Sequence, residues 1–189
     1  MSESLTKKDL QRKAGIATRN KLDQKQVAIF SQIISDKLIT SSFAEANVIL
    51  SYQPFGNEVD LSSFHEWALS EDKTLAFPLC HQDGKMVAAS PNHEKAWETG
   101  KYGIKTPIAS HSTIIDPMDI DLVIVPCTAF HGRQKTRCGM GGGYYDRYLP
   151  QCNKAITIAV AYSVQQNDDL VVDEWDFPLD TIVTEEAWH

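Results

Sequence analysis

A chain of 189 residues with 42% hydrophobic and 23% charged residues has the make-up of an ordinary globular protein, not of a disordered one. At this length one core buries roughly 70% of the unfolded surface without disulfide or metal staples, and a single domain over residues 1–189 is expected. The formal net charge of −7 argues against a duplex nucleic-acid binder.

The four cysteines, at 80, 127, 138 and 152, form no C-x-x-C pair and have no histidine at zinc-finger spacing. Four reduced thiols in a reducing compartment are expected. The opening MSESLTKKDLQRK has no apolar signal-peptide region, and no apolar run approaches the ~20 residues needed to span a bilayer. These features predict a soluble cytoplasmic protein with no membrane and no nucleic-acid partner. Charge is unevenly placed. Lys7, Lys8, Arg12, Lys13, Arg19, Lys21 and Lys25 face three acids in residues 1–25, whereas 155–189 hold eight acids and no Lys or Arg. A basic start and an acidic end can meet across a phosphate and cation site, or can be two solvated faces.

In chain order, 5–22 reads as a helix with a loose apolar stripe of Leu10, Ala14 and Ala17. A second helix is expected at 24–40, with Asp23 as N-cap and Val27, Phe30, Ile33, Ile34 and Leu38 buried. Asn47–Tyr52 (NVILSY) reads as a buried strand. A third helix follows at 60–71, capped by Asp60 or Ser62, with Leu61, Phe64 and Ala68 inward. Thr74–Leu79 and Lys85–Ala89 form a hairpin through the His81–Gly84 turn. The Pro- and Gly-rich stretch 91–117 is expected to be loops with one short helix. Asp121–Val125 (DLVIV) is the clearest buried strand, and a glycine loop follows it. A short helix at 143–149, a strand at Ala155–Ala161 and a late strand at Thr181–Val183 complete the order. Strands alternating with helices, with apolar runs buried on both faces, predict an α/β fold with a mainly parallel sheet.

The segment RCGMGGGYYDR, residues 137–147, is the candidate working centre. Ligands of open α/β folds bind at the carboxyl ends of strands, where this loop is expected. Gly139, Gly141, Gly142 and Gly143 permit backbone N–H groups to converge on an anion, and Arg137 adds a bidentate cation. No Lys-Ser/Thr follows the last glycine, so the loop is not a Walker A motif. Tyr144 and Tyr145 offer flat faces to a planar ring, or pack into the core. Asp146 is a hard oxygen ligand for a phosphate-bridging Mg2+, or a partner of Arg147.

The stretch VPCTAFHGRQKTRCGMGGGYYDRYL, residues 125–149, resembles the signature of the 5-formyltetrahydrofolate cyclo-ligase (methenyltetrahydrofolate synthetase) family. Four further segments fit the resemblance in order: the basic Lys7-Lys8-x-x-x-Arg12 helix, SYQPFGNEVDL (51–61), GKYGIKTP (100–107) and EWDFPLDTIVTE (174–185). The resemblance implies a compact layered domain like the sugar-phosphate isomerase and CoA-transferase class. It implies ATP-dependent cyclisation of 5-formyltetrahydrofolate to 5,10-methenyltetrahydrofolate, through phosphorylation of the formyl oxygen, with Mg2+ as cofactor; a monomer is expected. It places Arg137, Tyr144 and Tyr145 at the chemistry. ATP is given to Lys7 or Lys8, Arg12, Arg137, Cys138, Gly139, Met140, Gly141, Gly142, Gly143, Tyr144 and Tyr145. Folate is given to Leu50, Tyr52 and Glu58 with Met140, Gly141, Gly142, Gly143 and Tyr144, and Mg2+ to Asp146 and Asp176. Thr106, His131, Lys135 and Cys138 depart from the residues common in the family. Rival readings are another ATP-using ligase or kinase, a nucleotide- or RNA-binding module, and a protein that sequesters folate without turnover.

Overall fold

The structure, a computed structural model, describes residues 5–81, 83–100 and 103–189. Thr6 and Asp9 form a capping box that starts helix α1 (Lys7–Arg19), and Asp23 and Gln26 form another for α2 (Gln24–Ile39). Strand β1 (Val48–Leu50) leads to α3 (Ser62–Ser70), where Asp60 Oδ1 accepts from the Ser62 N–H at 2.9 Å. Strands β2 (Thr74–Cys80) and β3 (Met86–Pro91) are the expected antiparallel hairpin, although Gln82 in its turn lies outside the described residues. Next come β4 (Trp97–Thr99), β5 (Lys105–Pro107), β6 (Ser112–Ile115) and β7 (Leu122–Pro126). Strands β8 (Ala129–His131) and β9 (Thr136–Cys138) pair before α4 (Tyr144–Tyr148), and β10 (Ile156–Val160) and β11 (Thr181–Val183) end the order.

Seven strands make one sheet in the order β11-β10-β7-β1-β2-β3-β6. The first five run parallel; β3 is antiparallel to both β2 and β6. Side chains alternate between faces along a strand, and here both faces are dry. Ile49, Leu122, Ile124, Ile158 and Val160 join the core with Ile34, Leu38 and Phe64 of α2 and α3. Leu50, Val123, Val125 and Ala159 join the opposite core with Tyr148, Leu149 and Cys152. That is why these strands read as continuous apolar runs.

Four expectations need correction. The buried face of α1 is not the apolar stripe: Leu10 is 54% exposed, while Gly15 and Arg19 are buried and Lys8 and Arg12 are half-buried. The inward line Lys8, Arg12, Gly15, Arg19 follows helical spacing but is cationic, so hydrophobic periodicity could not find it. Ile33 of α2 lies outside the core at 37% exposure, and Ser31 and Ser35 are buried in its row. The stretch 91–117 holds three short strands where loops were expected, together with one short helical turn at Ala109–His111; within it Lys101 and Tyr102 lie outside the described residues. The glycine loop follows β9, because the β8–β9 hairpin intervenes after β7.

Candidate active site

The loop 139–143 sits beyond β9 and leads into α4. Three arginines from three elements meet it. Arg12 of α1 donates from Nε to the Gly139 carbonyl at 2.7 Å, and Arg147 of α4 donates from Nη2 to the Gly142 carbonyl at 2.7 Å. Arg147 also bonds the Gly84 carbonyl at 2.9 and 3.1 Å, tying the loop to the β2–β3 turn. Arg137 of β9 is buried and donates to Asp146 Oδ1 at 2.9 Å, with its guanidinium 5.8 Å from the Tyr145 ring centre. Carbonyls are therefore consumed by guanidinium donors. Among the described residues, no protein acceptor takes the N–H groups of Gly139 to Gly143. A run of N–H donors without a protein acceptor, set among arginines, has the chemistry an anion site requires. Gly141 takes φ +94°, a backbone conformation that L side chains rarely adopt, so this position calls for glycine.

The basic start and the acidic end do meet. Lys8 Nζ lies 2.8 Å from Asp173 Oδ2 and 2.6 and 2.5 Å from the two oxygens of Asp176. Burial pulls the Lys8 amine down, but hydrogen bonds and charge from Asp173 and Asp176 outweigh it and hold its pKa above the usual lysine value. Lys7 is exposed, so the inward member of the pair is Lys8. Gln11 adds a bond to the Asp169 carbonyl at 2.6 Å and one from the Val171 N–H at 2.9 Å. Asp146 and Asp176 are joined through Phe177, whose N–H reaches Asp146 Oδ1 at 3.4 Å. Among the described residues, no group of three or more His, Cys, Asp or Glu is arranged to hold a metal. Mg2+ characteristically uses one or two carboxylates plus phosphate oxygens. Asp146 and Asp176, each paired with a protein cation, do not make a permanent structural metal site, but as two carboxylates they fit the donor set of an ion that arrives with phosphate.

Glu58 and Arg19 form a buried pair, with Nη1 3.4 Å from Oε1. Burial raises the Glu58 pKa; the Arg19 charge and the Phe55 N–H, 3.0 Å from Oε2, oppose that rise. Tyr52 is buried and donates to the Val59 carbonyl at 2.6 Å. Leu50 is fully buried in the core cluster against which Tyr144 and Tyr145 pack. The Tyr145 hydroxyl is buried without a partner among the described residues, and burial pushes its pKa far up. Tyr144 donates to the His81 carbonyl at 3.2 Å and lies under Arg147, 5.5 Å from Cζ. Met140 is 55% exposed, whereas Cys138 is buried. A cleft of about 260 Å3 lined by Phe43, Asn47, Asp121 and Ile156 lies at the opposite, amino ends of the strands, where Asp121 only caps the Asn47 and Val48 N–H groups at 2.9 Å.

The model of the 5-formyltetrahydrofolate cyclo-ligase family matches residues 4–185. The chain belongs to that family. A 5-formyltetrahydrofolate cyclo-ligase of Mycoplasma pneumoniae is 29% identical over 189 residues, covering 97% of this chain and 98% of its own. A solved 5,10-methenyltetrahydrofolate synthetase of Aquifex aeolicus superposes with a TM-score of 0.84 at 29% identity, covering 97% of this chain and 92% of that one. A solved Mycoplasma pneumoniae 5,10-methenyltetrahydrofolate synthetase gives 0.79 at 26% identity, covering 95% and 99%. The protein is thus an enzyme of the cyclo-ligase family, with an α/β fold around a mostly parallel sheet.

Membership makes the departures of this chain readable. Lys135 takes φ +53°, a conformation that favours glycine. It is held by Leu179, whose N–H bonds the Lys135 carbonyl at 2.9 Å, and by its own Nζ on the Asp180 carbonyl at 2.7 Å. Sequence reading passed over Asp173, Arg147 and the Arg19–Glu58 contact. For Arg19 the signal was present as the i, i+4, i+7, i+11 spacing from Lys8. For Asp173 and Arg147 nothing in the local pattern separates them from solvated charges. All four cysteines are free, with Cys80 exposed, and burial pushes the Cys127 thiol up to about 12. No helix among the described residues is long and apolar enough to cross a membrane.

Proposed function

We propose that this chain cyclises 5-formyltetrahydrofolate to 5,10-methenyltetrahydrofolate, consuming ATP and releasing ADP and phosphate. The observation that carries the reading is the loop 139–143, whose carbonyls are taken by Arg12 and Arg147 while its N–H groups face no protein acceptor among the described residues. Such a loop receives phosphate oxygens. Phosphoryl transfer asks a protein for positioning and neutralised charge more than for covalent participation.

The formyl oxygen of an N-formyl group is a poor leaving group. Transfer of the γ-phosphoryl group to that oxygen makes it a good one; N10 then attacks the activated carbon, and the formyl oxygen departs inside phosphate. In this reading Arg12, Lys8 and Arg137 neutralise the phosphates, and the backbone from Cys138 to Tyr145 cradles them. When bound, Mg2+ supplies charge neutralisation and alignment of the transferring group, with Asp146 and Asp176 as its protein ligands. Glu58 accepts hydrogen bonds from the polar edge of the pterin. Tyr52 forms wall, since its hydroxyl is committed to Val59. Met140 and Tyr144 complete the folate side, backed by the core cluster that holds the fully buried Leu50, and Tyr145 stacks beneath Arg137 to fix its guanidinium. The reading extends to a cytoplasmic monomer and to kinship of the sheet with the sugar-phosphate isomerase and CoA-transferase class.

The test is to mix the purified protein with 5-formyltetrahydrofolate, ATP and Mg2+ and to follow the absorbance of the methenyl product. The product is expected only when all three are present. ATP consumption without that product would reassign the chain to another amide-activating ligase.

A further inference from the structure

Arg19 is the last residue of α1 and is 3% exposed. Its approach depends on Gly15, one turn earlier: a Cβ on Gly15 would stand 2.1 Å from the Thr128 carbonyl oxygen, so only glycine lets α1 lie this close to the strand ends. The buried guanidinium is poorly served. Nη1 is 3.4 Å from both Glu58 Oε1 and the Cys127 carbonyl, long for hydrogen bonds, and Nε has no partner among the described residues. Replacing both members of such a pair by apolar side chains is often neutral or stabilising, so the fold alone is a weak reason to keep the pair.

The surroundings of Glu58 give a stronger reason. Among the described residues, Glu58 Oε2 is engaged by the Phe55 N–H, while Oε1 has only the long contact to Arg19. The other described groups facing this carboxyl are Tyr52, Tyr145 and Cys127, and the Tyr162 hydroxyl donates to the Glu58 backbone carbonyl at 3.3 Å. None of these is cationic, and the Arg137 guanidinium is turned to Asp146, with Nη1 2.9 Å from Oδ1. We infer that Arg19 is a positioning residue for the substrate, holding the Glu58 carboxylate ionised and oriented to receive the N–H donors of the pterin ring. This rests on the folate reading of the site. A neutral Glu58 would present one donor and fewer acceptor positions to an edge that carries donors, so recognition would fade as the carboxyl takes up a proton. Arg19 supplies the charge that delays that uptake in a setting where burial promotes it.

The experiment measures equilibrium binding of 5-formyltetrahydrofolate, and kcat/KM for it, against pH. It uses wild type, R19M, R19K, E58Q and R19M/E58Q, each with a thermal melt. R19M keeps the volume apolar but leaves Glu58 without its cation, so it is expected to fold with a lowered melting temperature. It is expected to weaken folate binding about tenfold at neutral pH and to move the acid limb up by about one pH unit, with KM for ATP little changed. R19K is expected to restore the limb most of the way. In the E58Q background R19M is expected to add no further loss, since the two side chains act as one unit. An unmoved limb in R19M, losses that multiply in the double variant, or a failure of R19M and R19K to fold would overturn the assignment. Wild type that neither binds nor cyclises 5-formyltetrahydrofolate would overturn the functional reading itself. Wild-type turnover with an unmoved R19M limb removes the Arg19 role alone.

Discussion

Asp146 serves two neighbours. It compensates Arg137, which is buried beneath the loop, and it lies one hydrogen bond from the backbone next to Asp176. Asp146→Ala is expected to lower turnover by about a hundredfold or more, as loss of a transition-state electrostatic partner does. It should also cost about 3 kcal/mol of stability by leaving a buried guanidinium unpaired. Asp146→Asn separates the two effects, because it keeps an acceptor for Arg137 but not a charge for Mg2+. Its melting temperature should return toward wild type while turnover stays low. Normal turnover with unchanged Mg2+ dependence in the Ala variant would remove Asp146 from the metal assignment. At this scale the glycines, tyrosines and Asp146 were legible as a cluster because they are contiguous. Asp173 was not, because its partner Lys8 is 165 residues away and only the fold brings them together.

At the scale of elements, the start of α2 was the most legible feature. Asp23 brings a side-chain acceptor to the first free N–H groups, a local chemistry that needs no tertiary context, and Thr6, not read from the sequence, does the same for α1. The inward face of α1 was misread because apolar periodicity presumes an apolar neighbour, and this helix faces the loop 139–143, Thr128 and Asp176. The strands between 91 and 117 were missed because three- and four-residue strands are too short to show a period. Gly15→Ala tests the α1 placement directly. Alanine is ordinarily the better helix former, yet here it meets backbone. The expected outcome is a loss of about 1–3 kcal/mol by chemical denaturation, accompanied by a raised KM for ATP as Lys8 and Arg12 shift. A stabilised variant with unchanged kinetics would contradict the close contact between α1 and Thr128.

For the whole molecule, the central strands were legible because burial on both faces writes uninterrupted apolar runs, and DLVIV and AITIAVA occupy adjacent parallel positions. The antiparallel edge and the β8–β9 hairpin have no comparable signature beyond their turns. One buried titratable group sets a pH limit on the assembled domain. His65 of α3 bonds the Ser51 hydroxyl at 2.7 Å and packs edge-on against Phe77; burial lowers its pKa to about 4, with the Asp60 charge opposing only weakly. The unfolded chain binds this proton near the ordinary value of 6.5, so between 6.5 and 4 it holds more protons than the native state. Stability from His65 is therefore fully present above about pH 6.5 and is lost as pH falls toward 4, by up to about 3 kcal/mol. Denaturant melts at stepped pH should show that decline in wild type and a shallower one in His65→Gln. Equal slopes in the two proteins would contradict the neutral, buried histidine.

The central claim is that the loop 139–143 brings a nucleotide phosphate and a formyl oxygen together. The most direct measurement is to supply 5-formyltetrahydrofolate labelled with heavy oxygen in the formyl group, together with ATP and Mg2+, and to weigh the inorganic phosphate released. Phosphorylation of the formyl oxygen predicts one labelled oxygen in each phosphate formed alongside methenyl product. Unlabelled phosphate, with the label released to water, would contradict it.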